Sequence, residues 1–326
     1  MAKSNEKCSL ENETVLKLVA PFMADWALAD LAPVCATSRR LWGLVKDLPV
    51  TICYGSIWRT MFVNGNCRVN VEVFESLCLQ YPKAAVIDAR MPFVFHYTEI
   101  RREDHAEILG LMSLALNHQS ASSVILELPM DPFALSQSGE HPNVTHLEIH
   151  CVAMTNVLSA DCIDQFFAQF PNLLSYKSFP DGKCSNDWLL LQALRNRCPK
   201  LQTLRCGRVC MNKSLLAKTK TMGQLSAVRE LEFEVCDKSS GLSLSLVLSK
   251  MPRLQKLQFR ICAWSLDGQL DDNMTPHQHL RNLKVLGLVV KGHKYFRKYF
   301  EARKALLPNL EVFSYDSGPQ YTFEAV

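Results

Sequence analysis

The chain has 326 residues, of which 48% are hydrophobic and 21% charged, and its formal net charge is +4. This composition is typical of a folded globular protein rather than a disordered chain, and so small a net charge does not by itself indicate nucleic-acid binding. The start, MAKSNEKC, lacks the apolar segment of a secretory signal, so we expect the thirteen cysteines to be free thiols and the protein to be cytoplasmic, nuclear or both.

Residues 10–48 hold three short helical patterns of apolar residues. The apolar stretch VLKLVAPFMADWALADLAPVCA contains Lys17, two aspartates and two prolines, so it predicts packed helices and no membrane-spanning helix. So small a module buries too little apolar surface to be stable alone, and we expect it to pack against the rest of the chain or against a partner. Its apolar residues are Val15, Leu16, Val19, Phe22, Leu28, Leu31, Val34 and Cys35.

This module resembles an F-box. VLKLVAPFM is similar to the first apolar run of that family and ALADLAPVC to the second, although Ala27 replaces a common aspartate and Ser38 a common tryptophan. The resemblance implies that the eight apolar residues dock on a Skp-family adaptor, which joins the chain to a cullin. The alternative is a helical cap that shields the first structural repeat of the chain from solvent.

Residues 49–139 are expected to form a linker and irregular first repeats. VFESLCLQYPKAAVIDA predicts a helix, a break at Pro82 and a strand near Ile87, and SSVILEL predicts a strand near Leu126. EDHAEILGLMSLAL, between them, predicts a helix with apolar residues on one face. Those residues are Ile108, Leu111, Met112 and Ala115.

A regular motif occupies residues 140–326. Apolar anchors stand at its first, fourth and sixth positions, and the spacing of the first anchors is 29, 28, 27, 26, 29 and 27 residues. Positions 4 and 6 lie two residues apart, which places both side chains on one face of a strand. The first anchors are Val144, Leu173, Leu201, Val228, Leu254, Leu283 and Leu310.

Between the anchors the apolar period becomes helical, as in DCIDQFFAQF and KYFRKYFEARKALL. One strand and one helix cannot bury their apolar faces alone, so the units must stack. The pattern resembles the leucine-rich repeat. It predicts an α/β leucine-rich-repeat solenoid with parallel concave strands and outer helices, preceded by the small all-α F-box-like module.

Positions 3, 5 and 7 of each unit are predicted to face the concave surface. Their charges alternate in sign, which allows either a partner-binding surface or ladder pairs such as Glu230 with Lys256 and Glu234 with Arg260. We assign most of the charged residues to ladder pairs, whereas an apolar patch at Val285, Val289 and Val312 has no such explanation. The candidate substrate-binding residues are His146, Glu148, Lys177, Arg205, Glu232, Lys256, Arg260, Val285 and Val289.

The stretch CPKLQTLRC, residues 198–206, is interpreted as one of these units. Cys198 and Cys206 are predicted to be buried small hydrophobic residues, which leaves Arg205 free on the concave surface and Gly207 at the seventh position. His146 and His150 share a strand face, but no cysteine or histidine cluster has zinc spacing, and no nucleotide-binding or hydrolase motif occurs. We therefore predict no metal, no cofactor and no catalytic residue.

Residues 177–222 and 281–304 are locally basic. We interpret these residues as a solvated outer face rather than a nucleic-acid site, and an acidic or phosphorylated segment of a substrate remains as the alternative ligand. An F-box followed by leucine-rich repeats implies a non-catalytic substrate-recognition subunit of an SCF-type cullin-RING E3 ubiquitin ligase, which binds the protein to be ubiquitinated. The second hypothesis is a leucine-rich-repeat scaffold with no role in ubiquitination.

Overall fold

The structure, a computed structural model, describes part of the chain in two compact units, residues 1–128 and 129–326. Each unit is described by itself below. The described residues are 49–54, 71–90, 102–128, 139–151, 159–180, 187–209, 222–235, 246–261, 280–290, 307–316 and 321–325.

The first unit is α/β, with parallel strands paired in chain order. Thr51 lies beside Val86, and Val86 beside Ser123. The helices and strands expected after residue 70 are present, whereas the strand that begins at Thr51 was not predicted. The elements are β1 (Thr51–Cys53), α1 (Val71–Gln80), β2 (Val86–Ala89), α2 (Arg102–Asn117) and β3 (Ser123–Leu128). Helix α2 packs on β2, β3 and α1.

The second unit is also α/β. Its strands pair in chain order and run parallel from β4 to β10, and β11 is antiparallel to β10. This sequential order confirms the expected parallel α/β architecture and is compatible with a solenoid. The elements are β4 (His146–Cys151), α3 (Ala160–Ala168), β5 (Ser175–Pro180), α4 (Asp187–Arg197), β6 (Thr203–Val209), β7 (Glu230–Val235), β8 (Lys256–Ile261), β9 (Val285–Val290), β10 (Val312–Asp316) and β11 (Tyr321–Ala325).

The same four-residue turn precedes every strand from β2 to β10. The first residue of each turn is buried, and its carbonyl oxygen accepts a hydrogen bond from the N–H of the fourth residue, as Val144 donates to His141 over 3.1 Å. From β4 onward the fourth residue is the first anchor of the sequence motif, so each of these strands begins two residues later than the motif does. The turns span 81–84, 118–121, 141–144, 170–173, 198–201, 225–228, 251–254, 280–283 and 307–310.

Successive units are joined at these turns by a repeated set of hydrogen bonds. The N–H groups of Leu174 and Ser175 both donate to the carbonyl oxygen of Thr145, at 2.8 and 3.0 Å, and the same arrangement recurs as far as β10. Asparagine side chains add a second link, since the Nδ2 of Asn282 donates to the carbonyl oxygen of Pro252 over 3.0 Å. Asn172 and Asn309 make the equivalent bonds to the preceding turn.

Apolar anchors and the described helices α3 and α4 contribute to the core of the second unit. The first anchors from Val144 to Leu283 are each at most 1% exposed. Helix α3 begins after Ser159, whose hydroxyl accepts the N–H of Cys162, and its Phe167 ring meets Tyr176 of β5 edge-on at 5.1 Å between centroids. The helical stripe expected in DCIDQFFAQF is therefore confirmed, whereas KYFRKYFEARKALL lies outside the described residues. Of the helices that the structure describes, none is both long and apolar enough to cross a bilayer.

Candidate partner-binding surface

The strands of the second unit present alternate side chains to one common face. On β4, Leu147 and Ile149 are buried, while His146 is exposed and Glu148 and His150 are half-buried. The same alternation places Lys177 on β5, Arg205 on β6 and Glu232 on β7 in successive positions of one row. We call the side chains at positions 3, 5 and 7 the strand face. Its backbone positions agree with the sequence prediction.

Glu148 is the centre of a charged cluster at the start of the strand face. Its Oε1 lies 2.6 Å from Nε2 of His150, and its Oε2 lies 3.5 Å from Nζ of Lys177. The hydrogen bond from His150 lowers the pKa of the Glu148 carboxyl, as do the charges of His150 and Lys177, while burial acts in the opposite direction. Burial and the nearby Lys177 lower the pKa of His146, so its imidazole is neutral at pH 7.

The next charges along the strand face also pair with each other. Nη2 of Arg205 lies 2.7 Å from Oε1 of Glu232, and Nζ of Lys256 lies 3.8 Å from Oε2 of Glu230. Arg205 therefore lies outside the core on the strand face, as predicted, and the parallel register places Glu232 directly beside it as an ion-pair partner. The ladder pair of Glu230 with Lys256 is confirmed.

These pairs favour the ladder interpretation of the charged residues. Each acidic side chain described on the strand face has a basic neighbour within 4 Å, so a partner would have to displace internal ion pairs. Glu234 and Arg260 are opposite in register, but their side chains lie outside the described residues.

The apolar end of the strand face is described in part. Val285 is half-buried and lies beside Val312, which is 38% exposed. The side chain of Val289 lies outside the described residues, although its strand position next to Asp316 is described. Val285 and Val312, which were expected to belong to one apolar patch, are therefore paired in register on neighbouring strands.

Strand β6 contains an irregularity that was not predicted from the sequence. Its pairing with β7 is regular as far as Arg205 opposite Glu232 and resumes with Arg208 opposite Glu234, so β6 holds one extra residue, a β-bulge. Arg208 and not Gly207 therefore stands opposite Glu234. Cys206 is half-buried rather than buried as predicted, because the bulge interrupts the alternation that would turn it inward.

Cys198 occupies the buried first position of the turn before β6. Its Sγ lies 3.7 Å from the carbonyl oxygen of Phe170, and burial raises the pKa of the thiol to about 12. The thiolate is the reactive form of cysteine, so this residue is chemically inert at neutral pH. The prediction of a buried hydrophobic role for Cys198 is confirmed.

A second candidate surface of the second unit consists of basic residues at the turns that precede the strands. Basic side chains lie in or directly after the successive turns that precede β6 to β9, and one lies at the end of α4. We call Arg195, Lys200, Arg229, Arg253 and Arg281 the basic turn edge. All five are exposed. The sequence predicts helices and loops of a solvated outer face for the basic regions. The signal in the sequence that indicates the turn edge is the position of its residues relative to the anchors.

A pocket of about 320 Å³ opens on this edge, between the turns that precede β6 and β7. Its wall includes Arg195, Asn196, Gln224 and Ser226. The guanidinium of Arg195 reaches across to the next unit, since a carbon added at Gly223 would lie 2.5 Å from its nitrogens. The pocket thus joins a cationic group to neutral polar side chains.

The described residues contain no group of three or more histidine, cysteine, aspartate or glutamate side chains placed to hold a metal ion. The residues predicted to dock on an adaptor, from Val15 to Cys35, lie outside the described residues. The chain matches no protein-family model, and the comparison with curated proteins yields no match either.

Proposed function

We propose that this chain is the substrate-recognition subunit of an SCF-type cullin-RING ubiquitin ligase. In this proposal residues 10–48 dock on a Skp-family adaptor, and the repeats bind the protein to be ubiquitinated. The observation that carries the proposal is the turn that recurs before nine described strands, behind a segment that resembles an F-box. Stacked repeats are suited to recognition because they present a long, regular surface.

The chain would act by proximity and would perform no bond chemistry itself. Holding a lysine-bearing substrate close to a charged conjugating enzyme raises the effective concentration of the two reacting groups. The strand face can contribute polar and apolar contacts through His146 and through Val285 with its neighbour Val312, which the ion-pair ladder leaves for a partner. The ladder itself would keep the neighbouring strands in register.

Adaptor binding tests the proposal. We expect the chain to co-purify with a Skp-family adaptor and a cullin, and the double substitution Leu16→Asp and Leu28→Asp to abolish this, because an adaptor interface depends on desolvated apolar residues. Leu79→Asp is the matched control, since Leu79 on α1 is already 75% exposed. Adaptor binding that survives the double substitution, or that the wild-type chain lacks, would contradict the proposal.

Turnover distinguishes the ligase subunit from a scaffold. Proximity labelling during proteasome inhibition would identify proteins held by the repeats. If removal of the chain lengthens the lifetime of such a protein, the ligase function is supported. Unchanged lifetimes of all captured proteins would support a repeat scaffold with no role in ubiquitination.

A further inference from the structure

The basic turn edge carries charge of one sign, whereas the charges of the strand face form ion pairs with each other. Four turn segments lie side by side in the second unit: 195–202, 222–229, 246–255 and 280–284. These segments contain no aspartate or glutamate. Their basic residues are Arg195, Arg197, Lys200, Arg229, Lys250, Arg253, Arg281 and Lys284.

Internal partners account for only part of this charge. Arg197 pairs with Asp164, and Lys284 pairs with Glu311 at 2.8 Å. Arg229, Arg253 and Arg281 form no ion pair with any residue that the structure describes.

Two further residues of the edge, Lys200 and Arg195, have a neutral contact and a structural role, respectively. Lys200 donates to the neutral amide of Asn172 over 2.7 Å. Arg195 lies in the last turn of α4, where a positive charge offsets the helix dipole, but that explanation does not extend to side chains in the turns. The edge therefore carries positive charge for which the described fold supplies no counterpart.

We infer that the basic turn edge binds an extended segment of a partner protein rich in aspartate and glutamate. Neighbouring strands lie about 4.8 Å apart, so the four turns span roughly 14 Å, and alternate residues of an extended peptide lie about 6.8 Å apart. A few successive acidic residues thus match the length of the edge. Arginine predominates, and its planar guanidinium binds carboxylates through two parallel hydrogen bonds.

Two other anionic ligands fit the edge less well. A single phosphate group needs several donors that converge on one point, whereas these arginines are distributed over successive turns. Single-stranded nucleic acid binds through aromatic side chains on which bases stack, and the four turn segments contain no aromatic residue. The pocket beside Arg195 is lined by both apolar and polar residues, and its polar side chains, Asn196, Gln224 and Ser226, would accept one acidic side chain of the peptide beside the guanidinium.

The inference rests on the proposed function only for the claim that the bound protein is one to be ubiquitinated.

The purified full-length chain, without adaptor, would be titrated into a fluorescein-labelled peptide of alternating glutamate and serine, and fluorescence anisotropy would give the Kd. We expect binding that weakens as salt rises. The triple variant Arg229→Gln, Arg253→Gln and Arg281→Gln should weaken it roughly tenfold, because three exposed ion pairs are lost.

The matched control removes the same charge outside the four turn segments and the strand face: Lys3→Gln, Lys7→Gln and Lys83→Gln. It should keep the wild-type Kd, and circular dichroism should show that both triple variants stay folded. Equal weakening in both would show that net charge rather than the edge attracts the peptide, and would overturn the inference.

Three further results would overturn the inference: no binding of the glutamate peptide, binding of a phosphoserine peptide alone, or stronger binding of duplex DNA through the same arginines. Loss of adaptor co-purification with intact peptide binding would instead contradict only the ubiquitin role. Intact adaptor co-purification without peptide binding would contradict only the edge site.

Discussion

Phe167 offers a test of whether helix α3 and the strands stack as one core. Its side chain is fully buried, and its ring makes edge-on contacts with Phe166, at 5.2 Å between centroids, and with Tyr176 of β5, at 5.1 Å. Phe167→Ala removes the ring and leaves a cavity. A change of this kind lowers the free energy of unfolding by about 3–5 kcal/mol, which includes roughly 0.5–1.5 kcal/mol for each aromatic pair.

Urea unfolding followed by far-ultraviolet circular dichroism measures this loss. A loss of this size in the free energy of unfolding should also lower the melting temperature by about 10 °C. The effect should be large because each repeat is stabilised by its immediate neighbours. Phe167→Leu should lose less than half as much, since it keeps most of the buried apolar surface. Gln165→Ala, at an exposed position of the same helix, should stay within about 0.5 kcal/mol of the wild type.

A loss below about 1 kcal/mol for Phe167→Ala would refute the packing of α3 on β5, since no fully buried phenylalanine in a close-packed core is so easily replaced. The same small loss in Phe167→Leu and Phe167→Ala would show that the ring is not held between Phe166 and Tyr176. Either result would remove the physical basis for stacked units in this part of the chain.

Three further predictions follow from single contacts. The pKa of the Glu148 carboxyl is lowered in the folded chain, so its contribution to the free energy of unfolding is present above the ordinary value of 4.5 and is lost as the pH falls through the lower folded value. In urea unfolding, the free energy of unfolding of Glu148→Gln should therefore decrease less steeply at acid pH than that of the wild type. The same decrease in both proteins would contradict this. Cys198 should react with iodoacetamide at pH 8 only in denaturant, as peptide mass mapping would show, because its pKa is about 12; labelling in the native state would argue against its burial. Asn282→Ala should lower the free energy of unfolding by about 1 kcal/mol through loss of the bond to the preceding turn, whereas Asn196→Ala at an exposed helix end should not; equal losses would show that the turn bond is unimportant.

The repeating core was predictable because each anchor serves the same purpose in every unit. Val144 and Leu254 are both buried where the period places them, and the register of Glu230 with Lys256 follows from aligning the anchors. Alternation along a strand determines which side chains point inward, and that alternation is visible in the sequence.

Other features depended on information that the period does not contain. The bulge at Cys206 adds one residue to β6, and a glycine at position 207 was its only local signal. Strand β1 has three residues, too few to show alternation, and β11 reverses direction against β10. The basic turn edge was not predicted because its residues are far apart in the chain and come together only when the turns align.

Direct binding of the purified chain to a purified Skp-family adaptor tests the central claim most directly. Size-exclusion chromatography with light scattering measures the mass of the species formed when the two are mixed. The proposed function predicts a one-to-one complex with the wild-type chain and with Leu79→Asp, and separate proteins with Leu16→Asp and Leu28→Asp combined. Separate elution of the wild-type chain and the adaptor would contradict it.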